Sequence, residues 1–182
     1  ASGWLLKDIQ MDYLQKRFAK KGLMILYTTP WPGQGFYTKF PVNKVSDFKG
    51  KKLRIYSTAT QEMGSMLGFN ATILPFAEIP QAFSTGLIEA LFTSPQTGID
   101  IQAWDNTKHF TYAGAIFSKN AVVVTKKAFN ALSKEDQGNL LAAAKNAELR
   151  GWEMSSETTK AQIATLEKNG MSAKNAPDAV IS

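Results

Sequence analysis

The sequence predicts an α/β fold in which helices cover a largely parallel sheet. The main observation is an alternation of strand and helix patterns between residues 52 and 105, where short apolar runs are separated by segments with helical spacing. A second observation is an unusually long helix, expected from residue 134 to about 168 behind the N-cap residue Ser133. In addition, 44% of the 182 residues are hydrophobic, so the chain can bury a substantial core.

The region before this alternation predicts a helix, a strand and an irregular segment. An amphipathic helix is expected from residue 4 to 19, with Gly22 ending it. The apolar run from 22 to 29 is typical of a strand covered on both faces. The next segment, "PWPGQGFYTKFPVNK" at 30–44, is rich in Pro, Gly and aromatic residues, so we expect a loop or a crossover there.

The elements of the alternation follow one another closely. The expected order is a strand at 52–56, a helix at 58–66, a strand near 71–76, a short helix ending at Gly86, a strand at 87–94 and a helix opened by Pro95. Two more apolar stretches, around 107–113 and 120–126, predict further strands before the long helix.

Composition excludes several classes of function. The formal charge of +6 comes from lysines in scattered pairs with acidic residues nearby, which favours a solvated surface over a nucleic-acid partner. No apolar run reaches the roughly 18 residues of a membrane span, so we do not expect an embedded protein. The absence of cysteine excludes disulfides and thiolate metal sites. The first residues, "ASGWLLKDIQ", do not read as a signal peptide.

The sequence shows no catalytic constellation. The single histidine, His109, has no carboxylate at helical spacing, and a structural or surface role is a better interpretation than a catalytic one. Nucleophile, phosphate-loop, dinucleotide-binding and metal-ligand motifs are all missing. We therefore expect no enzyme activity, no cofactor and no metal.

Polar and aromatic residues instead collect where the predicted strands end. In an open α/β sheet, ligands bind outside the carboxyl ends of the strands, near helix N-termini that favour anions. The candidates are Arg54, Tyr56, Phe76, Thr93 and Ser94. Two aromatic residues of the irregular segment, Trp31 and Tyr37, are further candidates for lining the same cleft.

Arg54 is the most informative of these residues. Only three of the 21 basic residues are arginines, and this one stands between Leu53 and Ile55 in a strand that reads as buried. A guanidinium is always charged and presents a planar fork that matches a carboxylate, so a dry cleft for organic acids favours Arg over Lys. The alternative is a structural ion pair with a neighbouring Asp or Glu.

Three segments together resemble the solute-binding subunits of tripartite ATP-independent periplasmic (TRAP) transporters. They are "VSDFKGKKLRIYS" at 45–57, "FAEIPQAFSTGLIEALFTSPQTG" at 76–98 and "AVVVTKKAFNALSKEDQGNLLAAAKNA" at 121–147. The resemblance implies a periplasmic-binding-protein-like type II fold, here mainly the second lobe plus connecting strands and a long helix. Such subunits are longer, so most of the first lobe is expected to be missing from this chain.

The resemblance also implies a domain organisation and a function. Residues 1–45 would be the end of the first lobe and a crossover region, 46–132 the ligand-binding lobe, and 133–182 the long connecting helix with the C-terminal segment. The protein would capture a small organic acid in the periplasm by cleft closure and deliver it to the membrane permease subunits. A signal peptide would be present in the precursor.

The resemblance assigns individual roles as well. Arg54 matches the arginine that pairs with the ligand carboxylate, and Phe76 matches an aromatic residue that packs against the ligand. Lys39 is the nearest match to a second basic residue of the family. Thr93 falls where the family commonly has an asparagine, so a hydroxyl replaces an amide there.

Two alternatives share the implied fold. In one, the chain is a ligand-sensing domain of a signalling or regulatory protein, and closure signals rather than delivers. In the other, it is an enzyme, which turnover of a bound acid would reveal.

Overall fold

The computed structural model describes residues 2–181 and contains seven α-helices and eight strands within that range. In chain order they are α1 Ser2–Ala19, β1 Leu23–Pro30, β2 Gln34–Thr38, β3 Lys52–Ile55, α2 Thr58–Met66, β4 Asn70–Ile73, α3 Ile79–Ser84, β5 Ala90–Thr93, α4 Pro95–Asp100, β6 His109–Ala115, β7 Lys119–Thr125, α5 Lys126–Asn130, α6 Lys134–Lys168, β8 Ser172–Asn175 and α7 Asp178–Ile181. None of the helices in this range is long and apolar enough to cross a membrane.

The chain forms two compact units. The first unit contains residues 1–31 and 119–155, and the second contains residues 32–118 and 156–182. These units do not follow the boundaries at residues 45 and 132 that the sequence analysis proposed. The assignment of segments to a first and a second lobe stays a prediction.

The first unit is built on a two-stranded antiparallel sheet of β1 and β7. The prediction that β1 is covered on both faces is wrong, because only Ile25 and Thr28 are buried in it. Its single partner strand explains the difference, since a sheet of two strands has little surface to enclose. At the N-terminus of α6, the Oγ atom of Ser133 accepts a hydrogen bond from the main-chain N–H of Asp136 over 3.0 Å, which confirms the predicted cap.

The second unit contains a six-stranded sheet in the order β4-β3-β5-β2-β6-β8. The pairs β3/β4, β3/β5 and β6/β8 are parallel, whereas β2 runs antiparallel to both of its neighbours. Five strands therefore share one direction. The predicted alternation from residue 52 to 105 and the largely parallel sheet are confirmed.

Strand β2 lies within the segment 30–44, for which the sequence predicts a loop or crossover. It lies in the interior of the sheet, and all five of its residues are buried. The prediction is wrong for these residues because the stretch that leads into the strand, "PWPGQG" at 30–35, is rich in Pro and Gly, which usually mark a turn. Gly35 is required here because a side chain at this position would collide with the carbonyl oxygen of Thr111 on β6.

Two hydrophobic clusters pack on the opposite faces of this sheet. The first includes Tyr37, Phe83, Leu91 and Phe110. The second includes Phe36, Phe48, Leu53, Ile55 and Phe92. Side chains alternate between the faces, so Arg54 projects from the face that carries Leu91, its partner in the β3/β5 register.

Candidate functional site

The carboxyl ends of β3, β4 and β5 meet at one edge of the six-stranded sheet. The register pairs Arg54 with Thr72 on one side and with Leu91 on the other. Continuing the parallel register by two residues places Tyr56 beside Thr93 on the same face. The predicted meeting of these strand ends follows from the topology, because all three strands run in the same direction.

Arg54 is buried, with 6% of its surface exposed, although it carries a charge. Its Nε atom donates a hydrogen bond to the main-chain oxygen of Leu74 over 3.1 Å. Leu74 follows the end of β4, so this bond holds the guanidinium at the carboxyl edge of the sheet. Burial lowers the pKa of Arg54 from its usual range, and nearby Tyr56 acts in the opposite direction.

No carboxylate in the described part of the chain forms an ion pair with Arg54, and its Nε bond is the only hydrogen bond that this side chain makes there. The structural ion pair that the sequence left open is therefore not formed among these residues. Burying a guanidinium without an anionic partner costs free energy, which an anion bound beside it would offset. The two Nη nitrogens make no hydrogen bond within the described residues, so they are available for such an anion.

Tyr56 covers one face of the guanidinium. The centre of its ring lies 5.5 Å from the Cζ atom of Arg54, which is within the range of a cation–π contact. The phenolic hydroxyl of Tyr56 donates to the Oε1 atom of Gln34 over 2.8 Å. Burial raises the pKa of Tyr56, so the hydroxyl remains protonated at neutral pH.

Thr93 ends β5 at the same edge. It is buried, with 6% of its surface exposed. Its hydroxyl makes no hydrogen bond to another residue in the described range. A polar group in this position is ready to bind a ligand atom, since most buried hydroxyls in proteins are paired.

Phe76 begins the 3-10 helix Phe76–Glu78 two residues after Leu74, the residue that accepts the Arg54 bond. About half of its surface is exposed. Its position beyond β4 puts an uncovered aromatic side chain on the same edge as Arg54.

Ser94 and Tyr37 have structural roles in the geometry. The Oγ atom of Ser94 accepts from the main-chain N–H of Thr97 over 3.2 Å and so caps α4. The hydroxyl of Tyr37 donates to the main-chain oxygen of Ser94 over 3.2 Å. Tyr37 itself is fully buried against Phe110 with ring centres 4.5 Å apart. Ser94 and Tyr37 therefore stabilise the carboxyl end of β5 through contacts inside the protein. Because Tyr37 is fully buried, it does not line a cleft.

The structure does not bring Lys39 to this edge. Strand β2 is antiparallel to β5, with Tyr37 level with Leu91 and Thr38 level with Ala90. Arg54, Leu91 and Tyr37 are level with one another across the sheet. Lys39 lies two residues further along β2, on the side opposite to Thr93. Its Nζ atom donates to the main-chain oxygen of Phe83 over 3.2 Å.

Trp31 and Gln34 lie in the segment that leads into and begins β2. Trp31 is half-buried and belongs to the first unit, and its place near a ligand stays a prediction. Gln34 was missed, although it is buried and bonded to Tyr56. The signal for it was present, because an amide between two glycines in "PGQG" is unusual for a simple loop.

Comparison with known proteins places this arrangement in one family. The sequence profile of the bacterial extracellular solute-binding protein family 7 (DctP) matches residues 3–182. The chain is 40% identical to DctP7, a Bordetella pertussis extracytoplasmic solute receptor binding pyroglutamic acid. The TM-score is 0.90, and the match covers 93% of this chain and 56% of that one.

Two further relatives agree. A TRAP solute-binding protein from a marine metagenome, specific for pyroglutamate, is 34% identical with a TM-score of 0.86 over 92% of this chain and 55% of its own. The ectoine/5-hydroxyectoine-binding periplasmic protein UehA of Ruegeria pomeroyi is 28% identical over 127 residues, which is 69% of this chain and 38% of that protein.

The chain thus spans about half the length of these solved structures and somewhat less of the curated relative. The match extends over nearly all of the present sequence and includes the sheet that carries Arg54. The chain therefore belongs to the bacterial extracellular solute-binding protein family 7, and its fold is the type II-like α/β fold of the TRAP periplasmic solute-binding proteins.

Proposed function

We propose that this chain provides the anion-holding part of a periplasmic solute-binding protein that captures a small organic acid. The observation that carries the proposal is the buried Arg54, which has no carboxylate partner among residues 2–181. A ligand carboxylate would supply the missing negative charge. Pyroglutamate is the first candidate, since three solved structures with at least 34% identity to this chain bind it.

The remaining residues of the edge define how the acid is held. The Nε atom of Arg54 is occupied by Leu74 and one guanidinium face by Tyr56, so the carboxylate approaches the two Nη nitrogens in the guanidinium plane. The hydroxyl of Thr93 donates a hydrogen bond to the ligand, and the exposed ring of Phe76 excludes water from it.

The capture step requires no chemical conversion. Each group at the edge serves to bind an anion, and no nucleophile or base takes part in the proposed scheme. The intact protein closes around the acid and delivers it to the membrane permease of a TRAP transporter. Closure adds contacts that exist only in the closed state and so selects the ligand. No cofactor takes part.

Mass spectrometry of small molecules released by denaturation tests this function. The full-length protein is purified without added ligand, beside an Arg54→Ala variant of the same protein. We expect the wild type to release a carboxylic acid that the variant does not retain. If the wild type releases no acid and none of a panel of organic acids, pyroglutamate included, raises its melting temperature, the proposed function is wrong.

A further inference from the structure

Gln34 is a buried amide whose two ends are both bonded. It is 3% exposed and begins β2, at a point where the register with β6 is interrupted. Its Oε1 atom accepts from the hydroxyl of Tyr56 over 2.8 Å. Its Nε2 atom donates to the main-chain oxygen of Ile116 over 3.2 Å and contacts the Oγ atom of Ser118 at 3.3 Å. These bonds fix the orientation of the amide group.

Gln34 is linked to Arg54 through Tyr56, which bonds to Gln34 and covers the guanidinium. Tyr56 is 36% exposed, so burial alone does not hold its ring in one place. The hydrogen bond from its hydroxyl is the contact that directs the ring over the guanidinium of Arg54, at 5.5 Å. The ring thus covers one face of the guanidinium, while the Nη atoms at its edge stay open to a carboxylate.

The Nε2 atom of Gln34 bonds to Ile116, a residue with a strained backbone conformation. Ile116 has a φ of 52°, in the left-handed region that β-branched residues rarely adopt. Such a conformation persists only where neighbouring groups hold it, and the Gln34 amide bonds its carbonyl oxygen. Residues 116–118 connect β6 to β7, so one amide joins this connection to Tyr56.

We infer that Gln34 is a positioning residue of the anion site, acting on Arg54 through the hydroxyl and ring of Tyr56. The inference rests on the proposed function, since it concerns how the same site holds a carboxylate. It predicts that Gln34 contributes to affinity because it places Tyr56, and that this contribution disappears when Tyr56 has no hydroxyl.

A double-mutant cycle on the full-length protein, freed of bound ligand and titrated with pyroglutamate, measures this coupling. Gln34→Met and Tyr56→Phe each remove the bond between the two side chains, and we expect each to weaken binding about 3- to 10-fold. The double variant should bind within about twofold of the weaker single variant, because both changes remove the same interaction. Losses that multiply in the double variant would overturn the inference.

The matched control is Gln15→Met in the first unit. Gln15 also exchanges two hydrogen bonds, with the main chain of Ile25, over 2.7 and 3.2 Å. We expect this variant to bind pyroglutamate as the wild type does. A loss in Gln15→Met as large as that in Gln34→Met would show a general effect of removing a part-buried amide and would also overturn the inference.

The outcomes separate this inference from the function on which it rests. If Arg54→Ala loses binding while Gln34→Met and Tyr56→Phe retain wild-type affinity, the inference is wrong and the function stands. If the wild type binds no organic acid, both are wrong. If Gln34→Met does not fold, Tyr56→Phe still tests the bond from its other end, and unchanged affinity in that variant overturns the inference.

Discussion

The hydroxyl of Tyr37 donates a hydrogen bond to the main-chain oxygen of Ser94, and the same ring fills the space left by the missing side chain of Gly98. Because Ser94 caps α4 and follows Thr93, this contact sets the position of the β5 carboxyl end. Tyr37 therefore shapes the candidate site from the core.

A Tyr37→Phe variant tests this structural role. Loss of the buried hydroxyl leaves the Ser94 oxygen without this donor, so we expect the free energy of unfolding to fall by about 1 kcal/mol. Chemical denaturation measures the change. The affinity for pyroglutamate should stay within about twofold of wild type, because the phenylalanine ring still fills the space beside Gly98 and keeps the end of β5 in place. A large loss of affinity without a loss of stability would instead support a lining role.

Gly98→Ala is expected to destabilise the protein more strongly. A Cβ atom at this position would meet the ring and hydroxyl of Tyr37, and forcing extra volume into a packed core costs about 1 to 3 kcal/mol. The matched control is Gly138→Ala on α6, where nothing lies within 4 Å of the added atom. That change should stabilise the helix by up to about 1 kcal/mol. Equal effects at the two positions in thermal unfolding would contradict this packing.

Thr93→Val separates a binding hydroxyl from a structural one. The Thr93 hydroxyl has no partner in the described range, so we expect unchanged stability and a loss of affinity of about 3- to 10-fold. The control is Thr107→Val, since the Thr107 hydroxyl donates to the main-chain oxygen of Ala103 over 2.8 Å. This second variant should lose about 1 kcal/mol of stability and keep its affinity. If Thr93→Val lost stability and kept its affinity, Thr93 would not be a ligand-binding residue.

Lys39→Met should leave ligand affinity unchanged. The register places Lys39 on the far side of the Arg54 row, with its Nζ atom bonded to Phe83. Titration with pyroglutamate at low and high salt measures whether its charge reaches the site. A tenfold loss of affinity would show that Lys39 contacts the ligand, as the family resemblance first implied.

We expect His109 to contribute to a pH dependence of the protein's stability. Burial, together with the charge of Lys174, lowers the pKa of His109 below its usual range. The unfolded chain therefore binds a proton more readily, so this contribution to stability is present above about pH 6.5 and is lost as the pH falls through the lowered value. We expect His109→Asn to show a smaller loss of stability than wild type between pH 7 and 5. An identical pH profile for both proteins would contradict this role.

The regular part of the fold could be read from the sequence because its signals are local. The long helix predicted from 134 to about 168 spans Lys134–Lys168, since the cap residue Ser133 and the helical periodicity are both signals in the sequence of this segment. The parallel strands β3 and β5 were recognised from their apolar runs and the helices that follow them. Arg54 stood out because a buried strand rarely carries a charge.

Other features depend on contacts between distant segments. Gly35 makes a central strand look like a turn in the sequence. The reason for a glycine there is the close approach of Thr111 on β6, which only the structure shows. Lys39 lies away from the site because β2 runs antiparallel to β5. The neighbouring sequence contains no signal for that strand direction. Gln34 is recognised as part of the site only through its bond to Tyr56, 22 positions away.

The most direct test of the central claim compares pyroglutamate with its neutral amide by isothermal titration calorimetry of the full-length protein. We expect wild type to bind the acid and to discriminate strongly against the amide. Arg54→Gln should lose about 2 to 5 kcal/mol of binding free energy for the acid, since it removes a charged pair in a buried site. Arg150→Gln, a change at an exposed arginine of α6, serves as the control and should bind as wild type does. If Arg54→Gln keeps wild-type affinity, or if wild type binds the amide as tightly as the acid, Arg54 is not the anchor of a ligand carboxylate.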